Sequence, residues 1–305
     1  MHSKNLVIIL GPTGVGKSVT SIKLAKKFKG AIINCDSMQV YKGFDIGTDK
    51  LPPEKRENIP HYLLDIIDPH IQFTAADFAN QALKAIESIL KKKRLPIIVG
   101  GTGLYLKALL DGLFPGPGRE PSLRKKLEKK AAEKGLENLR KKLEEVDPDY
   151  AQKIGQKDKM RIIRALEVFT LTKKPFSEHF QNTESMVKDF NILKIGLKLN
   201  RRELYKNIEE RVDKMFKSGI INEVEDLLKD GVQEDSPPFR ALGYKYVLKY
   251  LKKEMTLEEA LELTKRDTRH YAKRQLTWFR RMDEVEWFSP FDFPSLAAFV
   301  EKHLE

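Results

Sequence analysis

A phosphate-binding loop stands near the start of this 305-residue chain. The segment GPTGVGKS, residues 11–18, follows the apolar run LVIIL and opens a helical pattern. A G-x-x-x-x-G-K-S loop between a strand and a helix points backbone N–H groups at a diphosphate. Lys17 would reach the outer phosphate oxygens, and the Ser18 hydroxyl can ligate Mg²⁺. The predicted diphosphate contacts are Gly11, Pro12, Thr13, Gly14, Val15, Gly16, Lys17 and Ser18.

A carboxylate follows the second apolar run of the sequence. Asp36 comes directly after AIINC, at the end of a predicted strand. A carboxylate there could take a proton from a nucleophile that attacks a group bound in the loop. It could equally cap the turn or helix that begins at Ser37. Asp65 is similarly open, as a Mg²⁺ ligand or as a turn residue.

Arg211 lies on the inward edge of a predicted helix. The apolar stripe of that helix is formed by Leu204, Ile208, Val212 and Met215. An arginine beside such a stripe needs an anionic partner. A diphosphate would serve as that partner, and so would a glutamate in a structural ion pair, so the sequence leaves both interpretations open.

The sequence pattern around these residues predicts an α/β fold. Apolar runs at residues 6–10, 31–35 and 96–100 alternate with helical patterns, which is typical of a P-loop NTPase-like parallel sheet covered by helices. The loop, the DSMQ segment at 36–39 and GGTGLY at 100–105 each follow a predicted strand. Because ligands bind beyond the carboxyl ends of parallel strands, we expect these three segments to meet at one site.

A basic insert interrupts this rhythm. A Pro/Gly-rich break at residues 112–121 is followed by a helical, charged stretch, and an apolar strand pattern returns at 191–199. Residues 119–174 hold 17 Lys and Arg residues against 10 Asp and Glu. The prediction is a core of residues 1–118 and 186–305, with a mainly helical insert domain at 119–185.

The charge balance indicates a polyanionic partner. The formal net charge is +12, and the run RDTRHYAKRQLTWFRR at 266–281 mixes basic and aromatic residues at helical spacing. Both features suit a nucleic-acid backbone, although a basic proteome or a solvated helix face would also produce them. One cysteine excludes an intramolecular disulfide, and no apolar stretch is long enough to span a membrane. We therefore expect a cytoplasmic protein.

Taken together, these segments resemble the tRNA dimethylallyltransferase (tRNA isopentenyltransferase) family, bacterial type. The matching segments occur in family order over nearly the whole chain: GPTGVGKS, NCDSMQVYKGFDIGT, PIIVGGTGLYLKAL, RIIRALEV, ERVDKM, RALGYK and RHYAKRQLTWFR. The resemblance implies transfer of a dimethylallyl group from dimethylallyl diphosphate to N6 of the adenosine immediately 3′ of the anticodon, in tRNAs that read U-initial codons.

The resemblance also implies roles for individual residues. Asp36, Thr13 and Arg211 would be catalytic, with Asp36 as the base and Mg²⁺ at Ser18. The implied tRNA contacts are Asp36, Ser37, Met38, Gln39, Thr102, Arg124, Met160, Arg161, Ile162, Ile163 and Arg164. The expected partner is the anticodon stem-loop of tRNA, and the family pattern favours a monomer. The chain departs from the bacterial pattern at GQKD, residues 155–158, and at Met160, where an arginine is common.

Three other classes remain as alternatives. A P-loop small-molecule kinase would share the loop but transfer phosphate from ATP. An adenylate isopentenyltransferase would use the same donor with a free nucleotide as acceptor. A non-enzymatic P-loop RNA-binding protein would share the basic surface. The basic insert and the run at 266–281 favour tRNA as the acceptor.

Overall fold

The computed structural model of the protein describes residues 4–114 and 116–304, without the side chains of residues 180–182. The chain forms two compact units. Unit 1 comprises Met1–Leu110 and Val187–Glu305, and unit 2 comprises Asp111–Met186. The insert predicted from the sequence, residues 119–185, falls within unit 2.

Unit 1 is built on a six-stranded sheet in the order β3-β2-β4-β1-β5-β6, and every neighbouring pair of strands is parallel. Its strands are β1 (Lys4–Leu10), β2 (Gly30–Cys35), β3 (His61–Tyr62), β4 (Leu95–Gly100), β5 (Phe190–Leu197) and β6 (Val285–Phe288). Its helices are α1 (Lys17–Lys27), α2 (Ala75–Lys91), α3 (Gly103–Leu110), α8 (Arg201–Lys217), α9 (Ile220–Lys229), α10 (Leu242–Leu251), α11 (Leu257–Phe279) and α12 (Phe293–Leu304). The predicted α/β class with a parallel sheet is confirmed.

The core of unit 1 follows from the apolar runs of its strands. Leu6 to Leu10 of β1 are fully buried, as expected for a central strand covered on both faces. On α8, the stripe predicted from the sequence is buried, from Leu204 at 2% exposure to Met215 at 7%. Polar caps fix where several helices begin: Thr74 and Thr256 each form a capping box, and Asn200 accepts a hydrogen bond from the backbone N–H of Glu203.

Unit 2 is helical. Its elements are α4 (Pro121–Lys134), α5 (Leu136–Val146), α6 (Pro148–Lys153), α7 (Lys159–Thr172) and a 3₁₀ helix (Ser177–Asn182). These helices enclose an apolar core of their own, with Leu143, Ile162 and Ile163 fully buried. Among the described residues of both units, no helix combines the length and the apolar character needed to span a bilayer.

Candidate active site

The phosphate-binding loop connects β1 to α1 at the carboxyl edge of the sheet. Gly14 has a φ of 79°, and a Cβ atom there would lie 2.9 Å from Ile208 Cγ1 of α8, so this position requires glycine. The Asn207 side chain of α8 donates a hydrogen bond of 3.1 Å to the Gly14 carbonyl oxygen. Helix α8 therefore packs against the loop at Gly14 and holds it in place.

Lys17 supplies the central positive charge of the loop. Its Nζ atom donates to the carbonyl oxygens of Gly11 at 2.9 Å and Pro12 at 2.8 Å, and no carboxylate pairs with it within the described parts of the chain. Burial and the neighbouring Arg211 lower the pKa of Lys17 to about 8, against the attraction of Asp36. An ammonium group whose charge is this poorly compensated favours an incoming diphosphate.

The predicted Mg²⁺ ligand, Ser18, lies at the second position of α1. Its side chain is exposed, and its hydroxyl makes no hydrogen bond to any described residue. No group of three acidic, histidine or cysteine side chains that could hold a metal occurs within residues 4–114 and 116–304. Because Mg²⁺ keeps several waters and takes few protein ligands when it bridges to phosphate, one free hydroxyl beside the loop fits that ion only together with a bound diphosphate.

Asp36 caps the turn that follows β2. One carboxylate oxygen, Oδ1, accepts backbone hydrogen bonds from Met38 at 2.8 Å and Gln39 at 3.4 Å, so the turn-capping interpretation is confirmed. The other oxygen makes no hydrogen bond to any described residue. The cap therefore orients the carboxylate and leaves Oδ2 available as a proton acceptor.

Arg211 contacts the phosphate-binding loop directly. Its Nη1 atom donates to Thr13 Oγ1 at 2.5 Å, and its Nε atom lies 3.2 Å from Asp49 Oδ2. Nη2 lies 3.4 Å from the Thr48 carbonyl oxygen. The ion-pair partner is thus an aspartate rather than the glutamate considered from the sequence. The same guanidinium reaches the phosphate-binding loop through Thr13.

Two further side chains tie the site together. Gln275 of α11 is 6% exposed, accepts a hydrogen bond of 2.9 Å from the Thr13 backbone N–H, and donates one of 2.8 Å to the Gly101 carbonyl oxygen. Thr102 Oγ1 accepts from the Ser37 backbone N–H at 3.1 Å. The three strand-end segments therefore meet as predicted. Gln275 was missed, although a polar residue in line with the buried Ala272 could have indicated it.

Other residues singled out from the sequence have structural partners. Asp65 forms a salt bridge of 2.5 Å with the buried Lys50, so the turn interpretation accounts for it. On α11, Arg266 pairs with Asp267 and Arg269 with Glu209. Lys273 and Arg280 are exposed and form no ion pair with any described residue. Only part of the basic run is therefore free to meet a polyanion.

In unit 2, the arginines predicted to contact RNA surround a buried glutamate. Glu167 is fully buried, accepts a 2.8 Å hydrogen bond from Arg164 Nη1, and lies 3.9 Å from Arg124 Nη1. Arg124 is also 3.4 Å from Glu128 Oε1. Glu167, Arg124 and Arg164, here called the Glu167 cluster, were not expected to be mutually paired.

The other residues of unit 2 that were predicted to contact RNA fall into an exposed pair and a buried pair. Met160 is 57% exposed, and the Arg161 side chain is 54% exposed. Ile162 and Ile163 are fully buried in the core of unit 2. Helix α7 turns both of these side chains inward, so a contact of these two residues with tRNA stays a prediction.

The fold and the site define an α/β protein with a parallel sheet, in which Asp36 and Arg211 lie near Lys17 of the loop between β1 and α1. The model of the IPP transferase family matches residues 39–282. The chain is 49% identical to the tRNA dimethylallyltransferase of Carboxydothermus hydrogenoformans over 94% of its length and 92% of that protein. With this match the chain belongs to the IPP transferase family.

Solved structures agree with this membership. The tRNA isopentenylpyrophosphate transferase of Bacillus halodurans is 40% identical, with a TM-score of 0.73 over 99% of this chain and 97% of that one. A eukaryotic dimethylallyltransferase, solved acting on tRNA, is 31% identical with a TM-score of 0.81. That alignment covers 98% of this chain and 77% of the eukaryotic chain.

Proposed function

We propose that this chain transfers a dimethylallyl group from dimethylallyl diphosphate to N6 of the adenosine immediately 3′ of the anticodon, in tRNAs that read U-initial codons, and releases diphosphate. The observation that carries this proposal is the meeting of Asp36 and Arg211 at one phosphate-binding loop, in a chain of the IPP transferase family. A loop that only bound phosphate would need neither an oriented carboxylate nor an arginine donating to Thr13.

The proposed chemistry begins with the acceptor nitrogen. Adenine N6 is a weak nucleophile because its lone pair is delocalised into the ring, so its proton must be taken as the new bond forms. Asp36 Oδ2 accepts that proton, while Oδ1 stays on the backbone N–H groups of Met38 and Gln39. The bond between N6 and the allylic carbon forms as the bond from that carbon to the diphosphate oxygen breaks.

The departing diphosphate takes the electron pair and concentrates negative charge in the loop. The loop amides, Lys17 and Arg211 stabilise that charge where it develops, and the Thr13 hydroxyl would contact the oxygen that leaves the allylic carbon. Ser18 would hold Mg²⁺ together with the diphosphate, and the ion would supply further charge neutralisation.

The acceptor must leave the anticodon loop to reach this site. Flipping a base costs a few kcal/mol and least where the base is unpaired, which suits an anticodon-loop adenosine. The segment from Asp36 to Gln39, with Thr102, would meet the flipped adenine, and Met160, Arg161 and the Glu167 cluster would contribute to tRNA binding by unit 2. We place the reaction in the cytoplasm with a monomeric enzyme, a state that light scattering would test.

The test of this function is a transfer assay with radiolabelled dimethylallyl diphosphate and Mg²⁺. Unmodified tRNA reading U-initial codons and free AMP are offered in parallel reactions. Label in tRNA alone is the expected result. Label in AMP would assign the chain to the free-nucleotide enzymes, and ATP hydrolysis without label transfer would assign it to the kinases.

A further inference from the structure

A loop that contacts Arg211 is itself held by a carboxylate from another helix. The loop comprises residues 44–49, here called the 44–49 loop, and the carboxylate belongs to Glu223 of α9. Glu223 Oε2 accepts backbone hydrogen bonds from Asp45 at 3.0 Å and Ile46 at 2.8 Å, and Oε1 lies 3.3 Å from the Gly47 nitrogen. Three consecutive N–H groups thus converge on one charged acceptor, an arrangement stronger than neutral hydrogen bonds would be.

Tyr244 of α10 completes this attachment. Its hydroxyl donates to Glu223 Oε1 at 2.5 Å and accepts from the Gly47 backbone N–H at 3.0 Å. A Cβ atom on Gly47 would lie 2.5 Å from the Tyr244 ring, so the loop backbone rests directly on the aromatic face. Burial and the Glu223 carboxylate raise the pKa of Tyr244, so the phenol remains a donor at neutral pH.

The far end of the same loop holds the catalytic arginine. Asp49 Oδ2 lies 3.2 Å from Arg211 Nε, and the Thr48 carbonyl oxygen lies 3.4 Å from Nη2. Of the three contacts that the described residues make with the guanidinium, two come from the 44–49 loop and the third is Thr13. Arg211 is 25% exposed, so without these two contacts its long side chain would be free to move away from the phosphate-binding loop.

We propose that Glu223 is a positioning residue for the transfer reaction: through the 44–49 loop it fixes Arg211 against the diphosphate site. The inference rests on the proposed function. Glu223 touches neither Arg211 nor the phosphate-binding loop, so its effect must pass through the backbone that it holds. An arginine placed before the substrate arrives loses no binding energy to reorganisation when the diphosphate charge develops.

The test is a double-mutant cycle on the affinity for inorganic pyrophosphate with Mg²⁺, measured by calorimetry. The four proteins are the wild type, Glu223→Gln, Arg211→Ala and the double variant. Glu223→Gln keeps the size of the side chain but removes the charge. We expect it to weaken pyrophosphate binding about tenfold in the wild-type background and by less than about twofold beside Arg211→Ala, since groups that act as a unit are not additive.

Two outcomes would overturn the inference: an unchanged affinity in Glu223→Gln, or the same loss in both backgrounds. Glu225→Gln, an exposed change of the same chemistry on the same helix, is the matched control and should bind pyrophosphate normally. If Glu223→Gln does not fold, Tyr244→Phe keeps the carboxylate and removes only the hydroxyl, and its expected loss of about threefold must likewise vanish beside Arg211→Ala.

The double-mutant cycle can be interpreted whether or not the protein is active, because pyrophosphate binding does not require transfer of a dimethylallyl group. If the wild type prenylated no acceptor, the proposed function would fail while the coupling between Glu223 and Arg211 would still be measured. If the wild type is active, the single-turnover rate of Glu223→Gln should fall while its affinity for tRNA stays at the wild-type value. A merely structural defect would lower both.

Discussion

The positive charges of unit 1 and unit 2 are held in opposite ways. At the phosphate-binding loop, Lys17 rests on two carbonyl oxygens, and Arg211 pairs with an aspartate that is 57% exposed. In unit 2, Arg124 and Arg164 pair with Glu167, which is fully buried. The charges of the first set have no carboxylate partner or only an exposed one among the described residues, so they can still attract an incoming anion. The buried Glu167 already neutralises much of the charge of the second set.

This difference shows that the number of basic residues in a segment does not measure its capacity to bind phosphate. Residues 119–174 hold 17 basic residues, yet two of the arginines expected to meet RNA are committed to a buried carboxylate. Burying a charge is costly unless it is paired, so the buried Glu167 needs arginine partners. From the sequence alone, the same arginines would be assigned to a ligand.

A large effect is expected from removing the Arg211 guanidinium from the diphosphate site of unit 1. Arg211→Ala should lower the single-turnover transfer rate by about 10² to 10³, as when one preorganised donor is lost from a developing anion. The affinity for tRNA should stay near the wild-type value. Rapid-quench kinetics at saturating tRNA measure the rate. Weak tRNA binding combined with normal chemistry would move Arg211 from the diphosphate site to the RNA interface.

Removing the carboxylate of the Glu167 cluster in unit 2 should lower the stability of the protein rather than its affinity for diphosphate. Glu167→Gln leaves two arginines without their buried partner and should lower the free energy of unfolding of the protein by about 3 kcal/mol. Urea denaturation measures that change, and the pyrophosphate affinity of unit 1 should not respond. Glu128→Gln is the control: Glu128 pairs with the same Arg124 but is 46% exposed, so about 0.5 kcal/mol is expected. Equal losses in both variants would contradict the role of burial.

The lowered pKa of Lys17 predicts a pH dependence. In the free protein Lys17 is charged below a pH of about 8 and neutral above it. Hence kcat/KM for dimethylallyl diphosphate should fall above that pH, by up to about tenfold per pH unit. Between pH values of about 8 and 10.5, the Lys17 amine binds a proton in the unfolded chain but not in the folded one. Its contribution to the free energy of unfolding therefore rises with pH over this range, while the affinity for the diphosphate falls. In Lys17→Arg the break at pH 8 should disappear.

The smallest effect concerns an arginine of unit 2 outside the Glu167 cluster. Arg161 is 54% exposed, and among the described residues its ion-pair partner is Asp158, at 3.5 Å. Arg161→Ala should weaken binding of all tRNAs by a similar factor and reduce the slope of log affinity against log salt by about 1. Filter binding over a range of salt measures the slope. An unchanged slope would show that Arg161 neutralises no phosphate.

Much of the framework of unit 1 was predictable because its signals are local. The central strands are continuous apolar runs, and the stripe of α8 repeats at helical spacing. The edge strands β3 and β6 have two and four residues and are not fully buried, so neither produced a recognisable pattern. Helices α10 and α12 were likewise not expected as separate elements.

The residues of the site could be predicted from the sequence, but their hydrogen-bond and ion-pair partners could not. The loop, Asp36 and Arg211 could be named because their chemistry is explicit in their residue types. The partner of the Thr13 backbone N–H, in contrast, is Gln275, 262 positions away, and Glu223 binds backbone N–H groups that carry no sequence signal. Which arginine pairs with which carboxylate is decided by packing, as Glu167 shows.

Asp36 is proposed as the base at the charged site of unit 1, and the variant Asp36→Asn tests that role. Asparagine keeps the oxygen that accepts from Met38 and Gln39 but cannot take a proton. The measurement is the single-turnover transfer rate at saturating tRNA, with the tRNA dissociation constant determined on the same sample. We expect a rate about 10² to 10⁴ lower at an unchanged dissociation constant. A wild-type rate in this variant would contradict it.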